Sequence, residues 1–341
     1  MTRVMQVMAG ARHGGAEAFF ERLVPALHRA GMAQQAVIRR DPARAGRLRA
    51  AGLAPIELPF GGLLDMTTRR ALDRAAAAFQ PDIMLAWMNR AARFARPGRH
   101  VLAGRLGGYY DLKYYHRCDH LIGNTRDIRD YLIRQGWPEA RAWYLPNFVD
   151  ADPAPALDRQ SLDTPAYAPL LLALGRLHAN KGFDVLLAAL ANLPDAWLWI
   201  AGEGPLGTTL QRTAQRYGVA DRVRFLGWRD DIAALFATAD VFVCPSRHEP
   251  LGNVIIEAWA HKCPVVAAAA LGPDVLITHG ESGLLAPVDD ADALANEIRE
   301  VLAKPALAAD LCQGGYAAYA AEFTETTVVA GYLEFFETVK R

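Results

Sequence analysis

The chain has 341 residues, 52% of them hydrophobic and 22% charged, with a formal net charge of zero. This length exceeds what one hydrophobic core usually supports, so we expect two domains. No apolar run approaches the roughly 20 residues that span a bilayer, and residues 1–11 are too short for a secretory signal, so we expect a cytoplasmic protein. The cysteines show neither metal-type spacing nor a disulfide rhythm and are interpreted as buried thiols: Cys118, Cys244, Cys263 and Cys312.

The zero net charge hides an asymmetry between the two halves of the chain. Residues 1–150 carry 23 Lys/Arg against 13 Asp/Glu, whereas residues 151–341 carry 14 against 24. A basic half suits anionic lipid, nucleic acid or a phosphorylated substrate. A solvated, arginine-rich surface explains the excess equally well, so charge alone does not decide the function.

Short apolar runs alternate with helix-like stretches along the first half. The predicted strands are Val4–Ala9, Gln35–Arg39, Asp82–Trp87, His100–Ala103, His120–Gly123 and Ala142–Leu145. Between the first two lies Ala16–Arg29, whose Phe19, Leu23 and Leu27 recur at helical spacing. The alternation is typical of a parallel sheet covered by helices, and we assign residues 1–150 to a first Rossmann-like domain.

Residues 151–168 are rich in Pro, Ala and Asp, which predicts an exposed linker. A second alternating series follows, giving a second Rossmann-like domain over 169–315 and a helical tail over 316–341 that we expect to pack back on the first domain. Its predicted strands are Leu170–Leu174, Trp197–Ala201, Val223–Leu226, Val241–Cys244 and Pro264–Ala267, and its helices Phe183–Leu193, Gly207–Tyr217, Asp231–Ala237 and Val254–Ala260. Two doubly wound α/β domains facing a cleft are expected, with the strand carboxyl ends toward it.

Glycine-rich turns follow several strands. Gly14 and Gly15 stand at a strand-to-helix turn, where backbone amides and the helix N-terminus favour an anion, although a purely structural turn explains them as well. Arg176 and Lys181 follow Gly175 after the strand Leu170–Leu174, so two cations are expected at a strand end, one with forked donors and one a point charge. Gly202 and Gly204 form another tight turn after the next strand.

The strand Val241–Cys244 leads into two glutamates, Glu249 and Glu257, eight positions apart around a glycine turn and a helix start. Carboxylates accept hydrogen bonds from vicinal hydroxyls of sugar or ribose. The amides of Gly252, Asn253 and Val254, next to Leu251, suit phosphate. Glu257 in a surface salt bridge is the structural alternative.

Taken together, these residues resemble the retaining GT-B glycosyltransferases of family four, over nearly the whole chain. The matching pieces are Gly14-Gly15-Ala16-Glu17, Gly123-Asn124-Thr125, Pro146-Asn147-Phe148-Val149-Asp150, Gly175-Arg176 with Lys181-Gly182, Gly202-Glu203-Gly204-Pro205, and Glu249 with Glu257. The resemblance implies transfer of a hexosyl unit from a nucleotide diphosphate sugar, UDP- or GDP-linked, with retained configuration. Arg176 and Lys181 are expected to stabilise the leaving diphosphate, Glu249 to bind the donor sugar and Glu257 the ribose.

The acceptor side departs from the family pattern. Where many relatives carry a histidine, this chain has Arg105, which is either a cation near the substrate or a surface arginine. His13 and Asn124 are further acceptor-side candidates. The loop after Phe225-Leu226-Gly227 is where such folds usually hold the base; its Trp228 either stacks there or is a buried aromatic, and Arg229 follows.

We expect no metal and no other cofactor. Asp150-Ala-Asp152 and Asp290-Ala-Asp292 match the D-x-D spelling of another glycosyltransferase fold, but helix capping explains the second more simply. The acceptor is expected to be a cell-envelope glycan, lipid-linked or of lipopolysaccharide type, met by peripheral contact with an anionic inner membrane face. A sugar-nucleotide epimerase, a phosphorylase and a non-catalytic nucleotide-sugar-binding protein are the alternatives, and no nucleic-acid motif accompanies the basic half.

Overall fold

The computed structural model describes residues 2–12, 14–62 and 65–340. The chain forms two compact units, one of Met1–Phe148 with Thr324–Arg341 and one of Val149–Phe323, called here the N-terminal and the C-terminal unit. Each contains one parallel sheet covered by helices, which confirms the α/β fold class. No helix in the described ranges is long and apolar enough to cross a membrane.

The N-terminal unit is built on a seven-stranded parallel sheet. In chain order its strands are β1 (Arg3–Met8), β2 (Ala33–Arg39), β3 (Ile56–Leu58), β4 (Ile83–Trp87), β5 (Val101–Leu106), β6 (His120–Gly123) and β7 (Ala142–Tyr144). Its helices begin with α1 (Gly15–Arg29), α2 (Pro42–Ala50), α3 (Met66–Phe79), α4 (Met88–Phe94) and α5 (Arg126–Arg134). Helices on both faces bury the strands on both sides, which is why the strands are apolar runs and not alternating patterns.

The C-terminal unit contains a six-stranded parallel sheet. Its strands are β8 (Leu170–Leu174), β9 (Trp197–Ala201), β10 (Val223–Gly227), β11 (Val241–Cys244), β12 (Val265–Ala268) and β13 (Leu284–Ala286). Its helices are α6 (Phe183–Ala191), α7 (Gly207–Arg216), α8 (Ile232–Thr238), α9 (Asn253–Ala260), α10 (Leu271–Leu276), α11 (Ala291–Ala303) and α12 (Pro305–Glu322). The last helix, α13 (Glu325–Val339), belongs to the N-terminal unit.

In both sheets, the order in which successive strands are added reverses once. The strand order is β3-β2-β1-β4-β5-β6-β7 in the first sheet and β10-β9-β8-β11-β12-β13 in the second. The strands that follow β1 and β8 are added toward one edge of the sheet. From β4 and β11 onward, strands are added toward the opposite edge. Outside the carboxyl ends of the two strands at such a switch point, successive loops diverge and leave a crevice for ligands.

The predicted strands agree with the structure most closely where they are fully buried. The predictions match β6, β8, β9 and β11 to the residue, whereas β3 and β13 were missed because each is a three-residue edge strand. The strand predicted as His100–Ala103 continues in fact to Leu106. This extension places Arg105 inside a buried strand and not in a loop.

The segment expected to be an exposed linker is attached to the C-terminal unit. Leu157 and Leu162 pack against its core. Thr164 is 2% exposed, and its hydroxyl accepts a hydrogen bond from Trp199 Nε1 at 2.8 Å. The Pro-rich composition, from which we predicted an exposed linker, gave no sign of these anchors.

The helical tail divides between the two units at Phe323 and Thr324, later than the expected boundary at Tyr316. In α12, a Cβ atom on Gly315 would lie 2.3 Å from the ring of Trp259, so the glycine lets the helix pack closely on α9. In α13, Tyr332, Phe335 and Phe336 are buried in the core of the N-terminal unit. Cys118, Cys244 and Cys263 are buried and Cys312 is half-buried, all as free thiols.

Candidate functional site

Lys181 and Glu249 form an ion pair at the switch point of the C-terminal sheet. Lys181 follows β8 and Glu249 follows β11, and these two strands are neighbours. The Nζ of Lys181 donates a hydrogen bond to Oε2 of Glu249, and the two side chains are only 22% and 13% exposed. The structure thus brings together two of the three residues predicted to be catalytic.

The surroundings of Lys181 keep its ammonium group charged. Burial by itself lowers the pKa of Lys181, but the neighbouring Glu249 carboxylate more than offsets this, and the pKa of Lys181 lies above its ordinary value. The buried hydroxyl of Ser246 also lies 3.5 Å from Oε2 of Glu249. Lys181 is therefore a permanent cation at neutral pH, held on one side of the crevice.

Arg176, the third predicted catalytic residue, differs from Lys181 in its surroundings. Its side chain is exposed in the turn after β8. Within the described ranges, it makes no ion pair or hydrogen bond. It is thus a cation available to a ligand at the carboxyl end of β8.

Arg247, to which the sequence assigned no role, ties the loop after β11 to the turn after β8. Its guanidinium donates two hydrogen bonds to the carboxylate of Asp184, at 2.8 and 2.7 Å, and one to the carbonyl of Ala179 at 2.9 Å. Nε of Arg247 also contacts Asp289 at 2.5 Å. These bonds lower the pKa of Asp184 below its usual value. The only sign of this role in the sequence was the position of Arg247, two residues before Glu249.

Glu249 is further held through its own backbone. The amide of Gly272 donates to the carbonyl oxygen of Glu249 at 2.8 Å. A Cβ atom at position 272 would lie 2.4 Å from that oxygen, so only glycine permits the approach. Sequence reasoning missed Gly272 because the contact comes from the next strand connection along the sheet.

The predicted glycines Gly175, Gly202 and Gly204 pack neighbouring strand-end turns against each other. Gly202 has φ +144°, and a Cβ atom there would lie 1.9 Å from the carbonyl oxygen of Gly175. A Cβ atom on Gly204 would lie 2.5 Å from the carbonyl oxygen of Leu177. The amide of Leu177 in turn donates to the carbonyl of Glu203 at 2.9 Å. Close backbone packing alone therefore requires glycine at Gly202 and Gly204.

The start of α9 provides the predicted amide groups. Gly252 precedes the helix with φ +87°, a left-handed conformation that favours glycine. In the described part of the chain no side chain caps this helix, whose first turn begins with the amides of Asn253 and Val254. Leu251 is buried beneath the turn, and Glu257 is half-buried further along α9. The predicted helix start is confirmed.

The loop after β10 carries Trp228 and Arg229. Trp228 is 63% exposed, so the alternative of a buried aromatic is wrong. Its Nε1 donates to Asp230 at 2.9 Å. Arg229 is paired with Asp231 through two hydrogen bonds at 2.7 and 2.5 Å, which orders the loop and engages the guanidinium within it.

In the N-terminal unit, the turn before α1 closes around Glu17. Its carboxylate accepts a hydrogen bond from the amide of Ala11 at 2.7 Å. A Cβ atom on Gly10 or Gly14 would collide with the same carboxylate, at 2.2 and 2.3 Å, and Gly15 begins the helix. The turn thus already contains an anion of its own chain, the carboxylate of Glu17 in the first turn of α1.

Arg105 is neither a substrate-facing cation nor a surface arginine, and both expectations are wrong. It is 1% exposed, with its guanidinium carbon 4.6 Å from the Phe19 ring and 4.7 Å from the Trp87 ring. Nε donates to the hydroxyl of Tyr332 at 2.6 Å, and the guanidinium also donates to Asn147. Arg105 therefore connects α13 to the sheet.

The other acceptor-side candidates have different outcomes. His13 lies outside the described residues. Asn124 follows β6 and is 5% exposed, and its Oδ1 accepts no hydrogen bond from any described residue. Asn124 thus offers a buried acceptor without a partner at a strand end.

The two D-x-D segments have local roles. Asp290 caps α11 by accepting a hydrogen bond from the amide of Ala293 at 2.9 Å, as predicted. Asp292 accepts one from Asn192 at 2.7 Å, and Asp150 accepts one from the amide of Asp152. Over residues 2–12, 14–62 and 65–340, no three His, Cys, Asp or Glu side chains cluster as metal ligands would.

Comparisons with known proteins agree with this arrangement. The chain matches the family model Glycosyl transferases group 1 over residues 168–304 and Glycosyltransferase Family 4 over residues 13–153. It is 37% identical to the lipopolysaccharide core biosynthesis glycosyltransferase LpsE of Rhizobium meliloti, covering 95% of this chain and 96% of that protein. The corresponding LpsD is 35% identical over 98% of both chains.

Solved structures show the same fold. Anabaena Alr3699/HepE in complex with UDP-glucose superposes with a TM-score of 0.87 at 22% identity, covering 99% of this chain and 100% of that one. A glycosyltransferase from Rickettsia africae gives a TM-score of 0.88 at 17% identity, over 99% of this chain and 98% of the other.

Proposed function

The chain belongs to the family 4 glycosyltransferases and has their GT-B fold, and from that premise we propose that it transfers a hexosyl unit from a UDP- or GDP-sugar to a lipopolysaccharide-type acceptor, with retention of configuration. The observation that carries this proposal is the juxtaposition of Lys181 and Glu249 at the switch point of the C-terminal sheet, with the exposed Arg176 in the turn after β8. Cations for a diphosphate and a carboxylate for sugar hydroxyls are both present there.

In the proposed reaction the anomeric carbon–oxygen bond to the diphosphate breaks, and a bond from the same carbon to an acceptor oxygen forms. The acceptor proton passes to an oxygen of the departing diphosphate, so no protein nucleophile and no strong side-chain base are needed. Negative charge grows on the leaving group as the bond breaks, and the cations Lys181 and Arg176 stabilise this charge in the transition state. Glu249 accepts hydrogen bonds from hydroxyls of the donor sugar.

The nucleotide is proposed to lie along the same strand ends. Glu257 accepts hydrogen bonds from the ribose hydroxyls, and the first-turn amides of Asn253 and Val254 bind a phosphate oxygen. The exposed ring of Trp228 follows β10, which is three strands from β11, and offers a flat surface for stacking of the base. Arg247 and Gly272 position Glu249 without touching the donor.

We propose that no metal takes part, because Arg176, Lys181 and the α9 amides supply the positive charge that a diphosphate requires. Retained transfer after complete chelation with EDTA is the expected result. Loss of transfer that is restored by added Mg²⁺ or Mn²⁺ would contradict the proposal.

The relatives support the acceptor and the donor. The two proteins covered nearly end to end are lipopolysaccharide core glycosyltransferases, and the HepE structure contains UDP-glucose. A lipopolysaccharide-type acceptor and a UDP-sugar are therefore the first pair to try, followed by GDP-mannose.

The test is a panel of UDP- and GDP-sugars, read first by protection from thermal unfolding. A ligand at 100 times its Kd stabilises a protein by about 2.7 kcal/mol, which is easily measured. Transfer to a core oligosaccharide is then followed, with the anomeric configuration of the product read by NMR. An inverted product would overturn the retaining mechanism, and formation of an epimeric nucleotide sugar without acceptor would identify an epimerase.

A further inference from the structure

Three exposed arginines lie at the carboxyl ends of neighbouring strands in the N-terminal sheet. Arg12 follows β1, Arg40 follows β2 and Arg90 follows β4 by three positions. The strand order of this sheet reverses between β1 and β4, so Arg12 and Arg90 flank its switch point. That is the place where open α/β sheets bind ligands.

The guanidinium groups of Arg12, Arg40 and Arg90 are not engaged by their own chain. Across the described ranges, none of them makes an ion pair, a hydrogen bond or a ring contact, and all three are exposed. The backbone that carries Arg12 is nevertheless fixed. Buried Arg44 donates to the carbonyls of Ala11 and Arg12, at 2.9 and 3.3 Å.

The acidic residues of the same edge are, in contrast, occupied by local contacts. Glu17 bonds to the amide of Ala11 and Asp41 caps α2, while Asp65 caps α3. Asp111 pairs with Lys113, and Asp127 bonds to Tyr109 and Arg134. Guanidinium groups are therefore available to a ligand at this edge, whereas these carboxylates are engaged in local hydrogen bonds and ion pairs.

A second observation points to a ligand at this edge. Asn124 follows β6, is 5% exposed, and its Oδ1 has no hydrogen-bond donor within the described part of the chain. The site of a Cβ atom on Gly107, after β5, lies 3.7 Å from Met88 Sδ and 4.0 Å from Asn124 Nδ2, so the ends of β4, β5 and β6 meet there. A buried amide oxygen without a donor is costly unless a ligand hydroxyl supplies one.

We propose that this edge binds an anionic glycan acceptor, in which Arg12, Arg40 and Arg90 bind phosphate or carboxylate groups and Asn124 accepts a hydrogen bond from a sugar hydroxyl. This inference rests on the proposed glycosyl transfer and names the class of its acceptor. Arginine presents forked donors that match both oxyanions. Strands about 4.8 Å apart spread the positions from β2 to β6 over about 19 Å, a length that fits an oligosaccharide and not a single sugar.

The same sheet provides a matched control. Arg99, Arg117 and Arg141 are also exposed and, in the described ranges, unpaired, but they precede β5, β6 and β7 and so lie at the opposite, amino-terminal edge. The edge variant R12Q/R40Q/R90Q and the control variant R99Q/R117Q/R141Q remove the same charge from the same unit. Circular dichroism melts establish that both fold.

The probe is a lipid-free lipopolysaccharide core oligosaccharide, in native form, after dephosphorylation and after reduction of its carboxyl groups. Calorimetric titration is expected to show binding of the native form weakened about tenfold or more in the edge variant and within about twofold of wild type in the control variant. The acceptor KM of the edge variant is expected to rise with the same ratio while kcat is retained. Loss of affinity on dephosphorylation or on carboxyl reduction tells which anion is recognised.

Equal weakening in both variants would overturn the proposal, since it would indicate a general field and not a site. Equal wild-type affinity for the native probe and for one stripped of both anionic groups would also overturn it. So would an edge variant that keeps the oligosaccharide but loses phosphatidylglycerol vesicles, which would reveal a membrane surface. Protection from thermal unfolding by the panel of UDP- and GDP-sugars is measured in parallel. If no donor protects wild type, the proposed function is refuted, whereas protection together with unchanged oligosaccharide binding in the edge variant would refute only this inference.

Discussion

Lys181 donates a hydrogen bond to Glu249, 68 positions further along the chain, across the gap between two adjacent strand ends. The two loops are held against each other, because Gly182 packs on Pro245, and the amide of Gly272 also binds the carbonyl of Glu249. The pair therefore combines opposite charges at fixed positions. In the proposed function, the phosphate groups of the donor engage Lys181 and its sugar hydroxyls engage Glu249.

Replacing Glu249 by alanine is expected to lower kcat by about a hundredfold or more, because preorganised polar contacts in a transition state typically contribute that much. Donor binding should fall far less, since the nucleotide contacts remain. Steady-state kinetics and donor titration separate the two effects. The control is Glu281→Ala, which removes an exposed carboxylate of the same unit. A stable glycosyl adduct on Glu249, detected by intact-protein mass spectrometry, would contradict its assignment as a hydroxyl ligand.

The ion pair also predicts how stability changes at high pH. Because the folded-state pKa of Lys181 lies above its ordinary value, its stabilising effect is complete below about pH 10.4 and is lost as pH rises through the folded pKa. Urea unfolding between pH 8 and 12 should show wild type losing stability relative to Lys181→Met in the upper part of this range. A constant difference between the two proteins would show that the pair does not titrate as proposed.

Glu257→Ala is expected to weaken nucleotide binding by about tenfold, the effect of losing a charged hydrogen bond, with little change in kcat. Isothermal titration with UDP or GDP measures the binding, and kinetics at saturating donor measures kcat. Glu281→Ala is again the matched variant. A lowered kcat at saturation with unchanged nucleotide affinity would move Glu257 from the ribose to the reacting sugar.

Arg247 is expected to act as a positioning residue. Arg247→Ala should lower kcat by about tenfold while changing donor affinity less, because the loop that carries Glu249 loses its attachment to α6. Arg247→Lys should restore little, since lysine lacks the fork that binds Asp184 twice. The lowered pKa of Asp184 means that this pair stabilises the fold above about pH 3.9 and that the effect is lost as pH falls through the folded pKa.

Acid unfolding tests whether Arg247 and Asp184 are paired in solution, which activity measurements alone cannot show. Asp184→Asn removes the titrating group, so its stability relative to wild type should improve as pH drops from 5 to about 2. If both proteins lose stability in parallel over this range, Arg247 and Asp184 are not coupled in solution.

The sequence predicts the strands of this fold better than its site. Leu170–Leu174 and Val241–Cys244 are fully buried apolar runs, and such runs are recognisable without a structure. Strands β8 and β11 are neighbours because of the strand order, and no local sequence pattern reveals that order. The pairing of Lys181 with Glu249 could therefore not be derived from the sequence. Arg247 and Gly272 act through contacts of the same long-range kind.

The failure at Arg105 has a related cause. A glycine on either side, at Gly104 and Gly107, indicates a loop, whereas β5 continues to Leu106. The partner that makes burial of the guanidinium acceptable is Tyr332, 227 positions away on the last helix. A charge in an apolar strand is predictable as buried only when its hydrogen-bond acceptors are known.

Arg105→Ala is therefore expected to destabilise the protein by about 3 kcal/mol, because it leaves the buried Tyr332 hydroxyl and Asn147 oxygen without their donor and removes two aromatic contacts. Urea unfolding measures the loss. Arg99→Ala, at an exposed position, should stay within about 0.5 kcal/mol of wild type. Acceptor KM of the folded Arg105 variant should be unchanged, because the guanidinium faces Phe19 and Trp87 and not solvent. A variant as stable as wild type with a raised acceptor KM would return Arg105 to the substrate, and the anchoring of α13 would then need another residue.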